Sequence, residues 1–304
     1  MTDLRGRQVA PACVLLSGCL WGTMGLFVRH FSGAGLAAVE TGEIRMFYGL
    51  LLTGAYLLAF DRNAFQFRLR DVWCFLGTGV GSLLLMEICE FTAMEHGSVA
   101  LASVLLYTAP AFVMLLGAVL FREKITWRKI LALILAFTGC AMVSGLGTDR
   151  QASTAGILLG LGAGLAYSLY TIFGRFALRR GYSVWTITFF SFLFCALFGS
   201  PLCSWMRLTS VLLSWDGLIW GAGMGLVTAF APYLLYSFGL SRIDGGRASV
   251  LASPEPVVAS LISVLIYHEP MPPLGIPGIA LVLSAVALLS GWSFKREKKT
   301  GKEP

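Results

Sequence analysis

The sequence predicts an all-α membrane protein in which ten transmembrane helices form two inverted five-helix repeats. Of its 304 residues, 57% are hydrophobic and only 13% are charged, whereas a soluble domain carries roughly 25% charged residues. Apolar stretches of about 20 residues, long enough to cross a bilayer, recur ten times along the chain. The chain also repeats itself at a constant spacing of 146 residues, as seen in Pro110 and Pro256.

Several short matches share this spacing. Phe121-Arg122-Glu123 corresponds to Tyr267-His268-Glu269, and each glutamate follows one of the two prolines by thirteen residues. Phe27-Val28-Arg29 corresponds to Phe173-Gly174-Arg175, and Gly77-Thr78-Gly79 to Gly223-Met224-Gly225. Each copy holds an odd number of spans, so the second copy must enter the membrane from the opposite side.

The two repeats divide the chain at residues 1–148 and 149–304. The predicted spans of the first repeat are Val9–Val28, Ile44–Phe60, Val72–Ala93, Val99–Phe121 and Ile130–Leu146. Those of the second are Ala155–Phe173, Trp185–Met206, Leu218–Leu240, Ala248–Tyr267 and Leu274–Trp292, followed by a basic tail at 295–304. Charged residues or turn residues end these spans, and the loops between them are too short for a soluble domain.

Prolines in three of the spans are expected to interrupt the helix. A proline lacks the backbone N–H and disfavours helix at the residue before it. We therefore expect kinks at Pro110 in the fourth span, Pro232 in the eighth, and Pro254 and Pro256 in the ninth. A broken helix at membrane depth is tolerated only beside protein or a water-filled cavity, so these kinks mark the region of a candidate site.

The net charge of +7 sets the topology and does not indicate nucleic-acid binding. If both termini are cytoplasmic, nineteen Lys and Arg residues fall in cytoplasmic segments and four, including Arg29 and Arg45, fall outside. Positive residues favour the cytoplasmic side. We therefore expect a multi-pass protein of the cytoplasmic membrane, the inner membrane in a double-membraned cell, with both termini in the cytoplasm.

Three carboxylates and one arginine occupy positions where charge is costly. A charged side chain at the bilayer centre costs about 2.5–3.5 kcal/mol on insertion scales. Glu87 and Glu90 lie one turn apart in the third span, Arg45 lies in the second, and Glu255 follows the first proline of the ninth. They are candidate cavity residues. The alternatives are a structural Glu87–Arg45 pair, Glu90 reaching the outer headgroups, and Glu255 bonding a local amide or Arg247.

Aromatic residues on four other spans are further candidates for a surface that contacts solute. Tyr233 and Tyr236 fall at the repeat positions of Glu87 and Glu90, so one face in each half is expected to line a shared central space. The remaining candidates are Trp21, Tyr107, Tyr167 and Tyr170. Packing or lipid contact is the alternative role for these rings.

Two segments resemble the closing pattern of an EamA repeat, in which a proline within an apolar helix precedes a glutamate and a glycine-containing final helix. They are Ala109-Pro110-Ala111 with Phe121-Arg122-Glu123-Lys124-Ile125-Thr126 and Gly139, and Glu255-Pro256-Val257 with His268-Glu269 and Gly278. Trp21-Gly22 also fits. The chain is therefore similar to the ten-span drug/metabolite transporter superfamily. That resemblance implies a central cavity and alternating access. Ser191 stands at the repeat position of Arg45, and Tyr167-Ser168 at that of Trp21-Gly22, so the site is expected to be asymmetric.

The predicted function is secondary-active export of a small organic solute, such as an amino acid, across the lipid bilayer. The chain holds no G-x-x-x-x-G-K-[ST] motif for ATP, so any coupling would use a proton or another ion. Glu123 and Glu269 are interpreted as helix-end residues that pair with basic groups. We expect no catalytic residues, cofactor or metal. A passive channel and, with less support, an intramembrane enzyme are the alternatives.

Overall fold

The computed structural model describes residues 2–96, 99–145 and 153–290 and is helical throughout its long segments. The predicted tail at 295–304 lies outside these residues. Within the described residues, eight helices are long and apolar enough to cross a membrane. They are α1 (Gln8–Gly33), α2 (Ala38–Phe60), α3 (Leu69–Met94), α4 (Leu101–Phe121), α6 (Thr154–Arg179), α7 (Val184–Leu202), α8 (Trp215–Leu240) and α9 (Gly245–Tyr267). A short helix, Trp205–Leu212, lies between α7 and α8.

Two shorter helices complete the described part of the chain: α5 (Trp127–Val143) and α10 (Gly275–Ser290). They pack along each other, and their closest approach is between two glycines. A Cβ at Gly139 would lie 2.7 Å from the Gly278 carbonyl oxygen, and one at Gly278 would lie 2.8 Å from the Gly139 oxygen. With 17 and 16 residues, they fall at or just below the usual length of a transmembrane helix. The count of ten spans therefore stays a prediction.

The backbone irregularities recur at the spacing found in the sequence. A π-helical segment occupies Gly79–Leu84 in α3, and its counterpart occupies Gly225–Phe230 in α8. Left-handed residues end the two proline-containing helices, with φ of 56° at Arg122 and 55° at His268. These are unusual conformations for residues other than glycine. Their recurrence at equivalent positions indicates that the two halves share one backbone plan.

The predicted proline positions coincide with breaks in two helices and follow an irregular segment in a third. In α4 the helix stops at Leu106 and resumes at Ala109, directly before Pro110. In α9 it stops at Leu251 and resumes at Glu255, so Pro254 and Pro256 flank the new start. In α8 the π-helical segment precedes Pro232, which lies in the first turn of the resumed helix. There the irregularity comes before the proline instead of at it.

One irregularity has no counterpart and was not predicted. α1 breaks at Gly22 and Thr23, whereas α6 runs unbroken through the equivalent Ser168. Gly22 packs against the broken part of α9, since a Cβ there would lie 2.5 Å from the Glu255 carbonyl oxygen. Gly18 approaches the Ala252 oxygen equally closely. The absence of side chains lets α1 and α9 approach at the level of both breaks.

Candidate functional site

A cavity of about 570 Å³ lies between the two halves and is lined by residues of α1, α2, α3, α4, α6, α8 and α9. It extends from Tyr233 to Arg29 and Tyr267, at the far ends of α1 and α9. We call this side of the molecule the open end. The volume is within the range of about 300–1,000 Å³ that small-molecule sites occupy.

Arg45 and Glu87 form a buried ion pair in the cavity wall. An Nη2 of Arg45 donates to Glu87 Oε1 at 2.5 Å, and the two residues are only 7% and 6% exposed. Gly42 makes room for the pair, because a Cβ there would lie 2.7 Å from Glu87 Oε2. Arg45 Nε is buried and has no partner among the described residues. Of the two carboxylates within reach in the sequence, Arg45 therefore pairs with the deeper one.

Glu90 and Glu255 also line the cavity and are half-buried. Within the described part of the chain, neither makes a hydrogen bond or an ion pair. The alternative in which Glu255 bonds Arg247 is not found, because Arg247 donates instead to the carbonyl oxygens of Leu289 and Ser290. Glu90 lies in the cavity wall. The break in α9 puts Glu255 in the first turn of the resumed helix.

Aromatic rings form the base of the cavity. Trp21 is 5% exposed, and its ring centroid lies 5.1 Å from that of Tyr233 and 6.2 Å from that of Tyr167. Tyr107 joins these three in the lining. In the described residues Trp21 Nε1 is buried without a hydrogen-bond partner. The base of the cavity is thus formed mainly by aromatic rings.

Two predicted cavity residues do not line this cavity. Tyr170 is buried, and its hydroxyl lies 3.0 Å from Ser237 Oγ. Tyr236 lies 2.7 Å from Thr171 Oγ1 and turns towards α6. Both tyrosines instead join α6 to α8 through hydrogen bonds. Tyr236 lies one turn from Tyr233 on the same helix. Its hydrogen bond to α6 turns Tyr236 away from the cavity that Tyr233 lines.

The other side of the molecule is closed, and we call it the sealed end. A pocket of only about 20 Å³ lies beyond the aromatic base and shares Tyr107, Tyr167 and Glu255 with the cavity. Past this pocket, Arg175 Nη1 lies 2.6 Å from Glu123 Oε1. Glu123 also accepts a hydrogen bond from the Gly245 backbone N–H at 3.2 Å. These contacts join α4, α6 and α9 across the end of the pocket.

The ion pairs at the two ends are reciprocal between the repeats. Arg29 of the first repeat pairs with Glu269 of the second, and Arg175 of the second pairs with Glu123 of the first. The expectation that both glutamates pair with basic groups is confirmed. The identity of the arginines was missed, although Arg29 and Arg175 fall on each other at the repeat spacing. Arg29 also lies over the Tyr267 ring, 4.0 Å from its centroid.

The arrangement is suited to binding a solute. Across residues 2–96, 99–145 and 153–290, no group of three or more His, Cys, Asp or Glu side chains could hold a metal ion. The polar groups that line the cavity are carboxylates, two paired arginines and hydroxyls. They can recognise charge and shape in a solute.

The EamA-like transporter family matches the chain twice, over residues 9–145 and 154–291. An uncharacterized transporter of Archaeoglobus fulgidus is 29% identical over 292 residues, covering 95% of this chain and 98% of that protein. The uncharacterized transporter YwfM of Bacillus subtilis is 25% identical, covering 94% and 95%. A solved crystal structure with 16% identity superposes with a TM-score of 0.76, covering 92% of this chain and 95% of the other, which supports the fold.

The two family matches together cover most of the chain, and both relatives are aligned over nearly their whole length. The protein therefore belongs to the EamA-like transporter family and is a multi-pass membrane transporter.

Proposed function

We propose that this transporter is a secondary-active carrier that moves a small organic solute across the cytoplasmic membrane by alternating access. The observation that carries the proposal is the cavity between the halves, which is open at one end and closed at the other by equivalent residues. In this proposal ten spans form two inverted repeats, residues 1–148 and 149–304, and the solute binds at their interface.

The distribution of basic residues gives the proposed orientation. Arg122, Lys124 and Arg175 lie at the sealed end, and positive residues favour the cytoplasm. The sealed end would then face the cytoplasm, as would both termini, and the cavity would open outward. Export follows if solute enters the inward-open form and leaves from the form described here.

The reciprocal ion pairs supply a mechanism for the exchange. Two states of an inverted-repeat carrier are related by swapping the conformations of its halves. In the exchanged state the Arg29–Glu269 pair would become buried, while the Arg175–Glu123 pair would become exposed. The solute site between the pairs would then face the other side of the membrane.

Proton coupling would use a cavity carboxylate, and Glu87 and Glu255 are the two candidates. The test is uptake by proteoliposomes that contain the wild-type chain, Glu87→Gln or Glu255→Gln, measured over a range of pH. Loss of the pH dependence in either variant supports the proton role. An unchanged pH dependence in both variants rejects it.

Counterflow decides between a carrier and a passive channel. Liposomes loaded with unlabelled solute should accumulate labelled solute transiently, and the uptake rate should saturate with concentration. Uptake that rises linearly without counterflow would instead identify a channel. A panel of labelled metabolites, covering cations, zwitterions, anions and neutral compounds, is the appropriate set of solutes.

A further inference from the structure

In the depth of the cavity, acidic residues outnumber basic ones, and some of the acidic residues form no ion pair. Four charged residues lie at its depth: Arg45, Glu87, Glu90 and Glu255. Arg45 and Glu87 neutralise each other across 2.5 Å. Arg29, at the mouth, is paired with Glu269. The cavity is therefore left with two carboxylates that no described residue neutralises.

Arg45 is poorly placed to bind an anionic solute. It is 7% exposed, and one of its terminal nitrogens is held by Glu87. The other lies 3.9 Å from Met24 Sδ. Its free Nε is shut off from the cavity, since this atom is buried. An anion that took the place of Glu87 on Arg45 would leave a buried carboxylate unpaired, which is strongly unfavourable.

Glu90 and Glu255, by contrast, form no ion pair with a described residue, and the Arg45 charge that reaches both of them is already paired with Glu87. They project from α3 and α9 into the same cavity, and their charges act on each other. A half-buried carboxylate is stabilised by a cation or a strong hydrogen-bond donor. No described side chain forms an ion pair or hydrogen bond with either carboxylate, so a bound solute can supply that partner.

The aromatic base of the cavity favours the same kind of solute. The faces of Trp, Tyr and Phe attract cations within about 6 Å of the ring centroid. Trp21, Tyr107, Tyr167 and Tyr233 all line the cavity beside the two carboxylates.

We propose that the solute is an organic cation, bound with its positive group between Glu90 and Glu255 and its apolar body on the aromatic base. The proposal rests on the transport function proposed above and specifies its substrate class. It disfavours the amino acid expected from the sequence, because a zwitterion would also need a free cationic partner for its carboxylate. Arg45 does not provide one.

The test uses four probes that share one ring and differ in charge. Radiolabelled benzyltrimethylammonium is bound to the purified full-length protein, and unlabelled benzyltrimethylammonium, benzyl alcohol, phenylalanine and benzoate compete for it. The quaternary cation cannot lose its charge with pH. We expect competition by the cation, and competition by the other three only at far higher concentration. Equal or tighter binding of benzoate or phenylalanine would overturn the proposal.

Two variants locate the charge. Glu90→Gln and Glu255→Gln are each expected to weaken binding of the cation by about tenfold, which is ~1.4 kcal/mol. Glu90→Asp and Glu255→Asp retain the charge and should retain most of the affinity. Asp216→Asn is the control, since Asp216 is an exposed carboxylate paired with His30 outside the cavity. Unchanged affinity in both glutamine variants would refute the assignment. If either variant fails to fold, competition on the wild-type protein still decides.

Counterflow on the same protein separates this proposal from the transport function. If the cation binds selectively but no solute undergoes counterflow, the cation site stands and the carrier function fails. If an anionic or zwitterionic solute undergoes counterflow and the cation neither binds nor moves, the carrier function stands and the cation proposal fails.

Discussion

The two ends of this protein are built from equivalent residues and yet differ in burial. At the sealed end, the side chains of Arg175 and Glu123 are 20% and 8% exposed. At the open end, those of Arg29 and Glu269 are 47% and 43% exposed. The chemistry of the two pairs is the same, so the difference arises from how closely the surrounding helices approach. An inverted repeat can thus place two equivalent ion pairs in different environments, one largely buried and the other exposed to water.

The largest expected effect is a loss of protein stability when the ion pair of the sealed end is broken. Glu123→Gln leaves Arg175 without its carboxylate in a nearly buried position, and such a change costs about 3–5 kcal/mol. Glu269→Gln, the equivalent change at the open end, should be much milder because water screens the remaining charge. Thermal unfolding of both purified variants in one detergent measures the difference. Equal losses of stability would mean that the two ends do not differ in burial.

A second comparison concerns the break in α1 and the equivalent, unbroken position of α6. Gly22→Ala puts a Cβ 2.5 Å from the Glu255 carbonyl oxygen, and the resulting overpacking should cost about 1–3 kcal/mol. Ser168→Ala, at the equivalent position of α6, removes only a hydroxyl that bonds the Leu165 oxygen of its own helix. Its expected cost is below that of Gly22→Ala. The free energies of unfolding of the two variants provide the test, and a milder effect of Gly22→Ala would contradict the close packing of α1 on α9.

Chemical labelling compares how readily a thiol reagent reaches the two ends of the protein. Ser103 lines the cavity and its repeat equivalent Ser249 lines the small pocket. In a background without the seven native cysteines, Ser103→Cys should react with a membrane-impermeant thiol reagent much faster than Ser249→Cys. Adding Glu123→Gln should speed the reaction of Ser249→Cys, because it loosens the sealed end. Equal rates in the unmodified background would remove the distinction between the ends.

The smallest expected effect is the response of the open end to acid. Hydrogen bonding from Ser263, aided by Arg29, lowers the pKa of Glu269 below its ordinary value of 4.5. A group whose pKa is lowered on folding stabilises the protein above its unfolded pKa, and this contribution is lost as pH falls through the folded pKa. Wild-type protein should therefore lose a small stability advantage over Glu269→Gln below about pH 4.5. A constant difference in melting temperature from pH 7 to pH 3 would contradict this assignment.

The sequence was a good guide to features that depend on local pattern. Helix lengths, the proline breaks of α4 and α9, and the spacing of equivalent residues all follow from apolar run length and backbone chemistry. The break at Gly22 was missed because glycine is also an ordinary packing residue in membrane helices. The same spacing would have identified Arg29 and Arg175 as equivalent partners for the two glutamates.

What the sequence alone determined is a helical membrane chain that repeats itself, with charged and aromatic residues at membrane depth. Only the tertiary structure decided that Arg45 pairs with Glu87, that Glu255 forms no ion pair with a described residue, and that Tyr233 lines the cavity while Tyr236 does not. These outcomes depend on which helix lies beside which, and on each helix's rotation about its axis. Residues one turn apart look alike in sequence, and a neighbouring helix distant in the chain determines which of them faces the cavity.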